Sequence, residues 1–116
     1  MSREWVLKTL VGLGFSEVEA EVYIFIAQTG PVKGRDIAKT LKLYKKKVYR
    51  SLKTLRAKQM VSATYERPAQ FFAVPLEKVL DRFMKAKIMQ AEGLQASRKE
   101  LLSSWRLIMK QNSATT

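Results

Sequence analysis

The residues with the clearest chemical character are the lysines and arginines of segment 33–58. This segment holds eleven cations and one acid, Asp36, so it carries +10 of the chain's net charge of +12. The cations are Lys33, Arg35, Lys39, Lys42, Lys45, Lys46, Lys47, Arg50, Lys53, Arg56 and Lys58. Soluble surfaces usually mix the two signs, because a cluster of one sign repels itself. The segment therefore predicts a polyanionic partner, of which nucleic acid is the commonest. The alternative is a solvated face that only keeps the protein in solution.

The sequence offers little that could perform catalysis or hold a metal ion. It contains no Cys and no His, which removes thiol nucleophiles, imidazole bases and nearly all transition-metal sites. Asp36, Glu66 and Asp81 are isolated from one another along the chain. We therefore expect no enzyme, no metal and no cofactor.

Length and composition predict one compact domain. The chain has 116 residues, of which 47% are hydrophobic, too many for a disordered basic tail. No apolar run approaches the roughly 20 residues of a membrane span. The first residues also lack the apolar core of a signal peptide. We expect a cytoplasmic, nucleoid-associated protein with no membrane partner.

Two helices are predicted before the cationic segment. The first covers residues 4–13 and ends at Gly14. Ser16 and Glu19 have the spacing of a capping box, which would begin a second helix over 17–29. That helix is apolar on nearly every side, so we expect it to be the central buried helix.

The cationic segment itself is predicted to form a helix-turn-helix. Helices over 34–41 and 45–58 are joined by a short turn at residues 42–44. In the second helix, an apolar stripe of Val48, Leu52 and Leu55 should face the core. At 100° per residue, the side chains at about 140° to 200° from that stripe are those of Lys46, Arg50, Lys53 and Ala57.

After residue 60 the hydrophobic period changes from helix to strand. Segments 61–66 and 70–74 alternate, which predicts a β-hairpin with Arg67 and Pro68 at its tip. Pro75 is suited to open a final helix, which could run over 76–110.

The predicted fold is mainly α with a small β-hairpin wing: a winged helix-turn-helix with a long C-terminal dimerisation helix. Residues 1–75 would form the DNA-binding domain, 76–110 the dimerisation helix and 111–116 a disordered tail. In such a domain the second helix of the motif enters the major groove, and the wing lies on the backbone or in the minor groove.

Each candidate DNA-binding residue has an expected role. Lys46 and Arg50 should lie near base edges, where Arg50 could grip a guanine through two hydrogen bonds. Lys45, Lys47, Lys53 and Tyr49 should contact phosphates, which supply affinity and fix register. Tyr49 could instead be a half-buried packing residue, and Arg67 a solvated turn residue. The predicted set is Lys33, Arg35, Lys45, Lys46, Lys47, Tyr49, Arg50, Lys53 and Arg67.

Several short motifs resemble one family of regulators. They are Leu13-Gly14-Phe15-Ser16 with Glu19-Ala20 and Val22-Tyr23, Gly30-Pro31, Asp36-Ile37-Ala38, Lys47-Val48-Tyr49 with Leu52 and Leu55, and Arg67-Pro68 with Ala73-Val74-Pro75. In order and spacing the chain resembles the DNA-binding domain of archaeal TrmB-like regulators and the related Lrs14-like winged-helix proteins, over about residues 8–85. The resemblance implies a dimeric transcription factor that binds duplex DNA. Two features depart from it: Gln59 stands where a glycine often closes the recognition helix, and the triple lysine 45–47 is unusually basic. About 40 residues follow the wing, so we do not expect the family's sugar response here.

The last helix has the pattern of a weak coiled-coil seam. Its 4-3 spacing is interrupted by Lys87 and Arg98, and Gly93 lowers helix propensity. The predicted dimerisation residues are Leu80, Met84, Leu94, Leu101, Trp105 and Ile108. We expect a two-fold homodimer; the alternative is a helix that folds back as ordinary core.

Three functions compete at this point. The leading one is a transcriptional regulator that binds double-stranded DNA as a homodimer. The second is an architectural, weakly sequence-specific DNA-coating protein. The third is a winged-helix module that binds RNA or an acidic protein.

Overall fold

The computed structural model describes residues 2–114 and confirms the predicted fold class. Within that range it contains five helices and a three-stranded antiparallel sheet. The elements in chain order are α1 (Arg3–Gly12), α2 (Glu17–Thr29), β1 (Val32–Lys33), α3 (Gly34–Leu41), α4 (Lys45–Ala57), β2 (Val61–Ala63), β3 (Gln70–Ala73) and α5 (Leu76–Ala114). They belong to two compact units, the first ending at Val79 and the second beginning at Leu80.

Helix α2 lies at the centre of the first unit. The predicted capping box is present: the Glu19 amide donates to the Ser16 hydroxyl at 3.1 Å, and the Ser16 amide donates to the Glu19 carboxylate at 2.9 Å. The side chains of Ala20, Val22 and Ile26 are fully buried. Helix α2 contacts α1, α3, α4 and β3, so it is the central buried helix that its composition predicts.

Helix α4 is anchored by the apolar stripe that the sequence predicts. Val48, Leu52 and Leu55 are at most 1% exposed. Ser51, which the helical wheel places on a flank of the helix, is also buried. The buried side of α4 is therefore wider than predicted, and its cations are confined to the remaining surface.

The wing contains one strand more than the predicted hairpin. Strands β2 and β3 pair in the predicted antiparallel way, with Ser62 opposite Phe72. The additional strand, β1, pairs with the other edge of β3 and places Val32 opposite Phe71. Two residues are too few to show a period, so β1 gave no sequence signal.

Helix α5 continues beyond its predicted end at Lys110. It includes residues 111–114, for which a disordered tail was predicted. This part of the sequence is Gln-Asn-Ser-Ala and contains neither Gly nor Pro, so nothing in it stops a helix. Residues 115–116 of the predicted tail lie outside the described residues.

A hydrogen bond joins α2 to the end of the sheet. The Tyr23 hydroxyl donates to the Val74 carbonyl at 2.7 Å. Burial raises the pKa of this hydroxyl, and the Glu77 carboxylate raises it further. The Tyr23 hydroxyl therefore remains a donor at neutral pH and fixes the chain where it leaves the wing.

The residue that closes α4 offers a test of backbone strain. Gln59 has a φ of +61°, a left-handed conformation that costs a non-glycine residue about 1 kcal/mol. We expect Gln59→Gly to raise the free energy of unfolding by about 0.5 to 1 kcal/mol in urea denaturation. Gln59→Ala is the matched control, because it keeps the strain. A glycine variant no more stable than the alanine variant would contradict this account.

Candidate nucleic-acid interface

The cations opposite the buried stripe of α4 are exposed and carry no counter-charge. Lys46, Arg50 and Lys53, here called the cationic face of α4, all lie on the solvent side. The ion pairs Arg3–Glu21 and Lys8–Glu4 lie outside segment 33–58. Among the described residues, no acid forms an ion pair with a cation of this segment, so these cations remain available to an anion.

The start of α4 is electrostatically unfavourable in the protein alone. Lys45, Lys46 and Lys47 occupy its first turn, which contains no acid, and the Tyr44 side chain does not cap the helix. A helix N-terminus has a partial positive charge and favours anions there. Three cations at this position oppose that preference, and a bound phosphate would relieve the conflict.

Helix α4 brings predicted residues together in two shallow depressions, one shared with α3 and the other with β3. One, of about 550 Å³, is lined by Arg35, Lys39 and Lys45 together with Asp36, Ala38 and Leu43. The other, of about 420 Å³, is lined by Tyr49, Lys53 and Arg56 together with Leu52, Ala57 and Phe71. Lys39 and Arg56 were counted in the charge cluster but not among the predicted site residues. The helical wheel of α4 alone could not place Lys39 beside Lys45.

The Tyr49 side chain is half exposed and also packs against a neighbouring helix. It is 48% exposed, yet its ring lies directly against Gly34 at the start of α3. A Cβ at position 34 would lie 2.7 Å from the Tyr49 hydroxyl and ring carbon Cζ. Gly34 therefore allows the ring to pack between the two helices while one side stays in solvent.

The remaining predicted residues lie at the edges of this surface. Lys33 is the last residue of β1 and is partly exposed. Arg67 is exposed between β2 and β3, where the structure places it at the wing. Two highly exposed aromatic residues were not among the predicted DNA-binding residues: Tyr44 before α4 and Tyr65 in the wing. The sequence shows that these residues are tyrosines, but only the structure shows how far their side chains are exposed to solvent.

The second unit presents a long apolar stripe to solvent. Of the predicted dimerisation residues, Leu80 is partly exposed and the others are at least half exposed. Those others are Met84, Leu94, Leu101, Trp105 and Ile108. Ile88 and Met109 are also exposed and broaden the stripe. The helix thus has an apolar surface that no described residue of its own unit covers.

Neither a metal centre nor a membrane-crossing helix is found in the part of the chain that the structure describes. There, no three acidic, His or Cys side chains come together as metal ligands would. None of the described helices combines the length and the apolar character needed to cross a membrane.

Comparison by sequence identifies a family. Residues 10–77 match the family described as "Sugar-specific transcriptional regulator TrmB", which is more than half of the chain. No curated protein matches the chain.

Comparison with solved structures finds the same fold in regulators. The chain is similar to TrmBL2, described as an archaeal chromatin protein with a novel mode of DNA binding, at a TM-score of 0.82 and 16% identity. The match covers 96% of this chain but 43% of TrmBL2, so the chain spans less than half of that protein. A possible transcriptional regulator from Methanosarcina mazei Go1 has a TM-score of 0.62 and 19% identity, covering 86% of this chain and 88% of that one. A transcriptional regulator from Thermotoga maritima has a TM-score of 0.56 and 23% identity, and the match covers 94% of this chain and 87% of that one.

Mutation can distinguish the base contact predicted for Arg50 from the phosphate contact predicted for Lys45. Arg50→Gln should cost about 1–3 kcal/mol on a preferred duplex and relax the choice of one base pair. Lys45→Gln should weaken binding to all duplexes alike. It should also make the slope of log affinity against log salt concentration less steep by about 1. Lys110→Gln, which removes an exposed cation from α5, is the matched control. Titrations of several duplexes at a series of salt concentrations measure both effects. Equal losses on every sequence for Arg50→Gln and Lys45→Gln would contradict this division.

Proposed function

The chain belongs to the TrmB family of transcriptional regulators, and from that premise we propose that it binds duplex DNA as a homodimer with α4 in the major groove. The observation that carries the proposal is the cationic face of α4, which is exposed and forms no ion pair with an acid among the described residues. The major groove is wide enough to admit a helix, and its guanines present two acceptors to an arginine. Arg50, near the middle of α4, is suited to that contact.

The phosphate contacts in this proposal come from both helices of the motif and from the wing. Arg35 and Lys39 on α3 lie beside Lys45 at the start of α4, so one phosphate could be held by cations of two elements. Lys53 and Arg56 extend the contact along α4. Arg67 in the wing is proposed to reach a backbone phosphate or the adjacent minor groove. Such contacts supply affinity and register rather than the choice of sequence.

The homodimer is proposed from the apolar stripe of α5. Leu94, Leu101 and Trp105 are each more than half exposed in the single chain, which leaves an apolar stripe in water that is interrupted by Arg98. Patches of this kind usually mark protein interfaces. A second copy of the helix would bury this surface and place two α4 helices on one side of the DNA. The two half-sites would then be about one helical turn apart, roughly 34 Å, or a multiple of it.

A second function, that of an architectural protein coating the nucleoid, is favoured by two observations. The chain has the fold of TrmBL2, an archaeal chromatin protein, over 96% of its length. The first turn of α4 also consists of lysines, which bind phosphate as point charges and distinguish bases less well than arginine does. In this alternative, the same surface binds DNA with little dependence on sequence.

The dimer can be tested apart from DNA. Sedimentation equilibrium at tens of micromolar should give twice the chain mass of 13.3 kDa for the wild-type protein. Trp105→Glu should give a monomer, because it places a charge in the apolar stripe. Leu107→Glu is the matched control, because Leu107 is exposed on the opposite side of α5. A wild-type monomer, or equal effects of the two variants, would contradict the proposed interface.

Recovery of genomic DNA distinguishes the two DNA-binding functions. The purified protein is mixed with sheared genomic DNA at about 0.2 M salt, which suppresses loose phosphate binding, and the bound fragments are sequenced. We expect enrichment of a few sites that contain palindromic half-sites. Even recovery across the genome would favour the architectural function. No recovery at all would contradict both and assign the basic surface to another partner.

A further inference from the structure

A second concave surface of the first unit lies outside the proposed DNA interface. It is a groove of about 660 Å³ between α1, α2 and the turn that precedes α4. Its lining residues, here called the acidic groove, are Glu4, Leu7, Lys8, Val11, Glu17, Val18, Glu21, Leu41 and Leu43. The volume is within the range of small-molecule sites, which are about 300–1,000 Å³.

The groove has an apolar lining in which acids outnumber bases, whereas bases outnumber acids in segment 33–58. Five of its nine lining residues are Leu or Val, whereas three are glutamates and one is lysine. Glu21 is paired with Arg3, and Glu4 lies 3.6 Å from Lys8. Glu17 takes part in neither of these ion pairs and lies at the first position of α2. The groove therefore offers an apolar lining with a carboxylate beside it in a chain of net charge +12.

These features select one class of occupant. The apolar side chains favour a hydrophobic ligand, and the carboxylates favour a cation and disfavour an anion. The stretch of α1 that lines the groove runs over residues 4–11, roughly 10 Å at the rise of an α-helix. That length suits a small molecule better than a peptide helix. We propose that the acidic groove is a binding site for a small hydrophobic cation.

The acidic groove also shares a lining residue with one of the two depressions beside α4. Leu43 lines both the acidic groove and the depression formed by Arg35, Lys39 and Lys45. Its amide donates to the Ala38 carbonyl at 3.0 Å, and α4 begins two residues later. A ligand that displaces Leu43 would therefore move the start of α4. This consequence rests on the proposed function: we expect the ligand to weaken DNA binding.

Two ions of nearly the same size and shape but opposite charge test the site without DNA. Tetraphenylphosphonium should bind and shift the backbone NMR signals of Leu7, Val18 and Leu43, whereas tetraphenylborate should not shift them. The control is stringent, because the net positive charge of the protein attracts the borate generally. Larger shifts of these signals with tetraphenylborate than with tetraphenylphosphonium would overturn the proposal, and so would no shift with either ion.

Variants of exposed residues locate the site. Glu17→Gln should weaken tetraphenylphosphonium binding about three-fold or more, as expected for loss of an exposed charge pair. Val11→Lys should abolish it, because Val11 is 40% exposed and its replacement places an ammonium group in the groove. Thr9→Lys adds the same charge to an exposed position of α1 outside the groove, and it should bind like the wild-type protein. Equal loss in the two lysine variants would overturn the assignment.

A final titration tests the connection to α4. Tetraphenylphosphonium should weaken duplex binding by the wild-type protein about five-fold or more, and it should not change duplex binding by the Val11→Lys variant. Binding of the ion with unchanged DNA affinity would overturn the connection through Leu43 and leave the site itself in place. A protein that binds the ion but no DNA would contradict the proposed function instead.

Discussion

The structure depends most on the burial of one side of α4 against α2. Val48, Leu52 and Leu55 are almost completely buried, and each such side chain contributes about 1.5–3 kcal/mol. Repulsion between two exposed charges in water is about 1 kcal/mol at close range and less at greater distance. Apolar burial therefore outweighs the repulsion that gathering so many cations produces. It also sets the rotation of α4, so that Lys46, Arg50 and Lys53 must point to solvent.

The sequence predicted the features that have a clear period or a local signal. The helices α2 and α3, the Ser16 capping box and the antiparallel pairing of β2 with β3 agree with it, whereas β2 ends at Ala63 and not at residue 66. It missed β1 because two residues show no period, and it ended α5 early because no residue marked the end. In the site, the wheel of α4 gave the direction of each cation. Only the fold places Lys39 of α3 beside Lys45 of α4.

The two proposed DNA-binding functions use the same surface and differ in which cations contribute most. A lysine-rich first turn favours contacts with phosphates and therefore affinity for duplex DNA of any sequence. Arg50 is the residue best suited to tell one base pair from another, because a guanidinium can donate two parallel hydrogen bonds to guanine. Gly34 supports both functions, because the Tyr49 ring that packs on it helps fix α3 and α4 relative to each other. The balance between base contacts and phosphate contacts thus decides between a regulator and a coating protein.

The central claim is that α4 lies in the major groove. Methylation interference tests it on any duplex that the protein retains at about 0.2 M salt. Dimethyl sulfate methylates guanine N7 in the major groove and adenine N3 in the minor groove, and the bound and free fractions are then compared. We predict that methyl groups at guanine N7 prevent binding at positions about one helical turn apart, as expected for two α4 helices. Interference only at adenine N3 would place the protein in the minor groove and contradict the account.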